Sequence, residues 1–219
     1  MAISTDQVVE NKLYVWTLKK HSNPKTSKYW ADVVNGVVLF NPEYVAEQLE
    51  NAKKKVEEVK KAWWNILVVM DKQLYRDDIK SLCEEKGYHY MNYNLPAWVF
   101  TNFETLKSRI SQMNDLTSFV NSEDFAWLTK REKSATIKRL KKLETIYWWV
   151  KNLKSLPDLT IVVDGVFLSN FVNELEKMNM DSVVMSSSDF DRYRNEEWLV
   201  MANINSYKSL DFAMKYILS

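Results

Sequence analysis

The amino-acid sequence predicts an α/β chain in which a parallel sheet is interrupted by a long helical hairpin. Three observations lead there. Short apolar runs of strand length alternate with segments of helical spacing, the rhythm of βαβ units. The rhythm breaks near Phe103, where heptad-like spacing takes over. It resumes at Leu159 and continues towards the last residues.

Taken in order, residues 33–40, VVNGVVLF, read as a buried strand with a turn at Asn35-Gly36. Pro42 and Glu43 open a helix to about Lys61, with Val45, Leu49, Ala52, Val56 and Val59 on one face. NILVVM, 65–70, is strand-like; 74–86 returns to helical spacing; YHYMNY, 88–93, is strand-like again. From Phe103 to about Val120, apolar residues fall at Phe103, Leu106, Ile110, Met113 and Val120, with Thr117 in step. A polar stretch, NSED, follows. A second long helix is expected from Thr129 to about Leu153, with Ile137, Leu140, Leu143 and Tyr147 on one stripe. Thr129 and Glu132 have capping-box spacing. Two long helices joined by a short polar link read as an antiparallel hairpin. LTIVVD, 159–164, and SVVMS, 182–186, are then strands, with helices at about 167–178 and 205–218. The expected division is an α/β domain of residues 1–102 and 154–219, with 103–153 inserted as the hairpin.

Composition bounds the function. Hydrophobic residues make up 46% and charged residues 27%, which suits a globular chain. No apolar run has membrane-spanning length, and the first residues lack a secretory pattern. Cys83 is the single cysteine, so an internal disulfide is excluded, a small core residue is expected there, and the cytosol is the default compartment. Net charge is only +1, yet the cations cluster. Lys19, Lys20, Lys25 and Lys28, with His21, fall in a run without an acid. Lys130 to Lys142 carries seven basic residues against Glu132. Such patches can neutralise phosphates while the rest of the surface faces solvent.

Catalytic patterns are missing. There is no G-x-G-x-x-G or P-loop, no H-E-x-x-H, no C-x-x-C and no G-x-S-x-G. No metal, cofactor or small-molecule substrate is expected. His89 reads as structural, and His21, among lysines, as a contact for RNA or solvent. Asp71 and Asp164 at strand ends read as strand terminators or helix caps, and Ser186 to Ser188 as a plain loop. The alternatives weighed are a small α/β nucleotide-binding enzyme and a protein-interaction scaffold built on the hairpin.

Asn23-Pro24-Lys25, Asn35-Gly36-Val37, Ile66 to Val69, Thr101-Asn102, Leu128-Thr129-Lys130 and Leu156-Pro157-Asp158, in that order within about 16 to 218, resemble motifs of the bacterial-type ribosomal protein S2 family of the small subunit. Asn23-Pro24-Lys25 resembles its N-P-K. Asn35-Gly36-Val37 resembles N-G-I, and Ile66 to Val69 with Lys72 resembles I-L-F-V-G-T-K. Thr101-Asn102 ends a stretch similar to W-L-G-G-M-L-T-N. Phe125, Leu128-Thr129-Lys130 and Glu132 resemble F-x-x-L-T-K-K-E, and Leu156-Pro157-Asp158 with Val162-Val163-Asp164 resembles L-P-D-x-x-x-V-I-D. The resemblance implies a flavodoxin-like or Rossmann-like sheet with helices on both faces and a protruding coiled-coil hairpin. It also implies a structural, non-enzymatic component of the cytoplasmic small ribosomal subunit. The partners so implied are small-subunit ribosomal RNA and neighbouring ribosomal proteins, with no membrane. The expected RNA contacts are Lys19, Lys20, Asn23, Lys25 and Lys28. Thr101 and Asn102 are second candidates, and Lys130, Arg131, Lys138 and Arg139 on the hairpin are third, beside the plainer reading of a solvated helix face. The sequence departs from the family at Asn94, which replaces a basic residue, and at Met70, which replaces a glycine.

Three glycines in 219 residues is low against the usual ~7%, while tryptophan reaches nine. Aligned through the flanking motifs, Trp16, Trp64, Trp98, Trp148 and Trp149 fall on family glycines. Tryptophan meets none of the needs that place glycine. The pattern reads as UGA codons for glycine rendered as tryptophan, against the alternative of genuine aromatic substitution. Trp30, Trp127 and Trp198 do not align cleanly, so not every tryptophan need stand for a glycine.

Overall fold

The computed structural model describes residues 3–62, 65–92, 98–148, 151, 153, 155–190 and 198–219. The first helix, α1 (Thr5–Glu10), starts at Ser4, whose hydroxyl accepts the Gln7 N–H while the Gln7 side chain accepts from Ser4 N–H. Strand β1 (Val15–Leu18) follows. Two 3-10 turns, Lys19–His21 and Pro24–Tyr29, lead into β2 (Trp30–Val34) and β3 (Val37–Phe40). These strands form an antiparallel sheet in the order β1-β3-β2. The expected single buried strand at 33–40 is therefore two strands. Asn35 (φ 51) and Gly36 (φ 77) both take left-handed angles, the geometry of a type I′ turn, and fold the apolar run back on itself. Most of β2 faces solvent, so the pair is a surface ribbon, not a core strand.

Helix α2 (Pro42–Lys61) has the expected bounds. Asn41 caps it and Pro42 takes the first turn, where no N–H is needed. Its 3.6-residue apolar spacing buries Val45, Ala46, Leu49, Ala52, Val56 and Val59. Strand β4 (Ile66–Met70) is buried throughout. A 3-10 turn and α3 (Arg76–Lys86) follow, with Gly87 in the left-handed region ending the helix. Cys83 is buried in α3, and burial pushes its thiol up to about 12. Strand β5 (His89–Met91) comes next, then α4 (Phe103–Val120), the short α5 (Glu123–Ala126) and α6 (Lys130–Tyr147). Strand β6 (Leu159–Val163), α7 (Ser169–Lys177), β7 (Ser182–Ser186), β8 (Leu199–Met201) and α8 (Tyr207–Ile217) complete the chain.

The parallel sheet has the order β5-β4-β6-β7-β8. Numbered along the sheet's own strands, this is 2-1-3-4-5, the doubly wound order of flavodoxin-like proteins. The chain moves one way from β4 to β5 and the other way from β6 onward. With right-handed crossovers, that reversal places α3 and α7 on opposite faces. On the α3 side, α8 packs against both α2 and α3. Sheet strands covered on both faces read as continuous apolar runs, which is why β4 and β6 stand out in the sequence.

Helices α4 and α6 pack on each other. Leu106, Ile110 and Met113 meet a stripe on α6 that contains Leu140, Leu143 and Tyr147. Ile137 departs from the expected stripe and is exposed; the half-buried Thr136, one position earlier, keeps step with Leu140 and Leu143. The second helix ends at Tyr147, short of the expected Leu153. The polar NSED stretch is partly helical, as α5.

Candidate nucleic-acid interface

The lysine-rich leader is folded, and hydrogen bonds pin it between the two sheets. Asn23 N–H donates to Ser188 O at 2.7 Å, and the Ser22 and Ser188 hydroxyls meet at 2.7 Å. Thr26 is buried; its hydroxyl lies 2.7 Å from Asn23 O and 3.0 Å from Ser188 O. Trp30 Nε1 donates to the same hydroxyl at 3.1 Å. On the other side, Lys19 N–H donates to Gly36 O at 2.7 Å. The Asn23 side chain caps the second turn by accepting Lys25 N–H at 2.9 Å. Asn-Pro at a cap and first-turn position is a helix-start signal, so part of Asn23's role is structural.

On this frame Lys19, Lys20, His21, Lys25 and Lys28 are all exposed. The Lys28 ammonium lies 5.0 Å from the centre of the Tyr29 ring. The anchor is the triple serine expected to be a plain loop. Ser186 ends β7, Ser187 bonds Asp189, and Ser188 holds the leader at the carboxyl end of the sheet.

Thr101 and Asn102 lie at the start of α4 and are exposed. They are organised from α7, where Glu174, 7% exposed, accepts Phe100 N–H at 3.0 Å and Thr101 N–H at 3.5 Å. Burial raises the Glu174 carboxyl above its ordinary range, and the backbone donors and the Thr101 side chain pull it partly back. The sequence reading missed Glu174, although it lies three residues after Phe171 on the buried stripe of α7. A carboxylate on an apolar helix face was the available signal.

Lys130, Arg131, Lys138 and Arg139 are exposed on α6. Arg131 and Lys138 lie seven residues apart on the face away from the α4 contact, whereas Arg139 lines a cleft with Gln112 and Asp115 of α4. These cations do not form one cluster. The expected capping box is present: Thr129 Oγ1 accepts Glu132 N–H, and Glu132 Oε2 accepts from Thr129 N–H at 2.9 Å. Lys133 ties α6 to the connection by donating to Ala126 O at 2.7 Å.

In a 2-1-3-4-5 sheet the ligand crevice opens between the first and third strands, at their carboxyl ends. Here Lys72 after β4 and Asp164 after β6 span that point as an ion pair, and Lys72 also donates to Asn205 at 3.0 Å. Asp164 further accepts Phe167 N–H at 3.1 Å, so it closes the turn after its strand as expected. Asp71 pairs with Arg76 at 3.1 Å. His89 is half-buried, and burial lowers its pKa, which suits a structural residue. Among the described residues, no group of three acids, histidines or cysteines is placed to hold a metal, and no helix is long and apolar enough to cross a membrane.

Trp16 is buried in β1, and its indole N–H has no hydrogen-bond partner among the described residues. Trp98 and Trp148 are exposed, and the Lys151 ammonium lies 3.7 Å from the centre of the Trp148 ring. Asn94, Trp64 and Trp149 lie outside the described residues.

The family model for ribosomal protein S2 matches residues 8–219, from within α1 to the final residue. It covers the antiparallel ribbon, the parallel sheet and the α4–α6 segment. That family is a structural component of the small ribosomal subunit in translation and not an enzyme family. With a match across nearly its whole length, this chain belongs to the ribosomal protein S2 family.

Proposed function

We propose that this chain is held on small-subunit ribosomal RNA by its basic leader and supports translation there as a non-catalytic part of the cytoplasmic ribosome. One observation carries the reading: Lys19, Lys20, Lys25 and Lys28 stand exposed on a segment whose backbone is fixed by Ser188 and Gly36. A fixed array of ammonium groups meets phosphates without the ordering cost of a loose tail. The Asn23 side-chain nitrogen adds a donor for a backbone or base edge. Thr101 and Asn102 form a second contact.

The body is residues 1–102 and 154–219. Residues 103–153 form an antiparallel coiled-coil hairpin that projects from it, with Lys130, Arg131 and Lys138 turned outward and Arg139 at its seam. Neighbouring small-subunit proteins are the other partners; no membrane, cofactor or small-molecule substrate takes part. Changing Lys19, Lys20 and Lys25 together to alanine should weaken co-sedimentation with small subunits and flatten its salt dependence. With about 0.7 to 0.9 of logarithmic slope per phosphate contact, three lost contacts lower the slope by about 2 to 3. Unchanged incorporation and slope would overturn the placement.

A further inference from the structure

The antiparallel ribbon has a second apolar face that the fold leaves uncovered. In β3, Val38 and Phe40 are buried, so Val37 and Leu39 turn to the other side. The register sets Val15 opposite Leu39, and Leu18 and Val34 on either side of Val37. Directly opposed residues share a face, so Val15, Leu18, Val34, Val37 and Leu39 form one patch drawn from all three strands. Leu18 and Val34 are exposed. Val15, Val37 and Leu39 are half-buried, yet among the described residues they are not part of the packing around the core. Single exposed aliphatic side chains need no explanation, whereas a contiguous patch on one sheet face marks an interaction surface.

The chemistry of the face selects its occupant. It offers no aromatic ring to stack a base and no side-chain donor to read one. Its charged member is Asp32, exposed opposite Leu39 at the β2 edge. That carboxylate repels phosphate and attracts a cation. The lysine leader departs after Leu18, from the β1 edge and the other row of the face, so the acid lies diagonally across from it. Three strands span about 10 Å from centre to centre, the breadth of one helix with its side chains. An open sheet face is ordinarily closed by such a helix. We propose that an amphipathic helix of a neighbouring small-subunit protein lies on this face, its apolar stripe on Leu18, Val34 and Val37 and a lysine or arginine beside that stripe on Asp32. The inference rests on the reading above that neighbouring proteins are partners, and it uses none of the residues assigned to RNA.

The test uses the full chain, in which Cys83 is buried and leaves an introduced surface thiol as the reactive one. Val34→Cys, labelled with a benzophenone maleimide and assembled into small subunits from its own cells, should cross-link on illumination to one ribosomal protein. The attachment should fall on a helix whose apolar stripe is bordered by lysine or arginine. The same label at Tyr44→Cys, exposed on α2, should not reach that helix. Leu18→Lys combined with Val34→Lys should weaken incorporation tenfold or more at an unchanged salt slope. Both side chains are exposed, so the change acts on the contact and spares the core. RNA on this face would give the opposite result, tighter binding with the slope steeper by about 1.4 to 1.8 for two added phosphate contacts. A Val34 cross-link to RNA, to a second copy of this chain or to no protein, or the steeper slope, would overturn the assignment. The leader variant should keep the Val34 cross-link in the particles that still form, so the RNA reading and this one fail separately.

Discussion

At the scale of single residues, Glu174 organises the predicted interface without belonging to its basic leader. It is the acceptor that holds the Phe100 and Thr101 amides in place. Its carboxyl titrates above the ordinary range because it is buried. Between the ordinary glutamate range and that raised value, the folded state keeps a proton that the unfolded chain has released. Stability therefore falls as pH rises through this window. Glu174→Gln keeps an acceptor and removes the titration, so its urea midpoint should lose that slope. Glu174→Ala should cost about 1–3 kcal/mol, because the Phe100 N–H is left unpaired. Trp16 shows the reverse situation. Its buried indole N–H has no partner, whereas the indole of Trp30 reaches Thr26. An unpaired buried donor costs about 1–3 kcal/mol. That burden falls on Trp16, which the sequence motifs lead one to expect on a family glycine, whereas Trp30, which does not align cleanly, is satisfied. Glycine encoded by UGA at the aligned positions predicts that protein from its own cells has an intact mass below that of a chain with nine tryptophans. A mass matching nine would refute it.

Among the elements, the capping box at the start of α6 is the clearest local device. Thr129→Ala should destabilise the protein by about 1 kcal/mol, read from the urea midpoint, with helicity lost first in α6. The hydrogen bonds from Thr129 hold the Glu132 carboxyl below its usual range. The folded value is depressed, so this contribution is present above the unfolded value and fades as pH falls through the folded one. This cap was legible because four residues carry it. The bounds of α2 and α4 were legible for the same reason: twenty and eighteen residues of steady spacing outweigh any local ambiguity. Strand β8 was not, since its three residues, LVM, join the sheet through β7 and the cover of α2. The ribbon of β2 and β3 was misread although its signal, Asn35-Gly36 between apolar runs, was noticed as a turn. Six apolar residues in VVNGVVLF suggested burial, but a type I′ turn reverses the chain, so only alternate residues of β3 point inward. In the candidate site, the lysines were legible from charge alone. Ser188, Thr26 and Glu174 were not, because each matters through a partner more than seventy positions away.

Across the whole molecule, the leader joins an antiparallel ribbon to the carboxyl end of a parallel sheet, and the hydroxyl of Thr26 is the shared node. It touches Asn23 O, Ser188 O and Trp30 Nε1 at once. Thr26→Val preserves shape and removes that node without altering any charge. The leader should then exchange its amide hydrogens faster across 19–29, while the parallel sheet keeps its protection. Binding to small subunits should weaken because the lysines must be ordered on contact. The slope of that binding against salt should not change, since the number of phosphates neutralised is the same. The lysine variant predicts the opposite pair: a flatter slope with the leader's amide protection intact. Measuring exchange and salt dependence on both variants separates the frame that positions the cations from the cations themselves. If Thr26→Val flattened the slope, or left both exchange and affinity untouched, the hydrogen-bonded frame would have no part in binding.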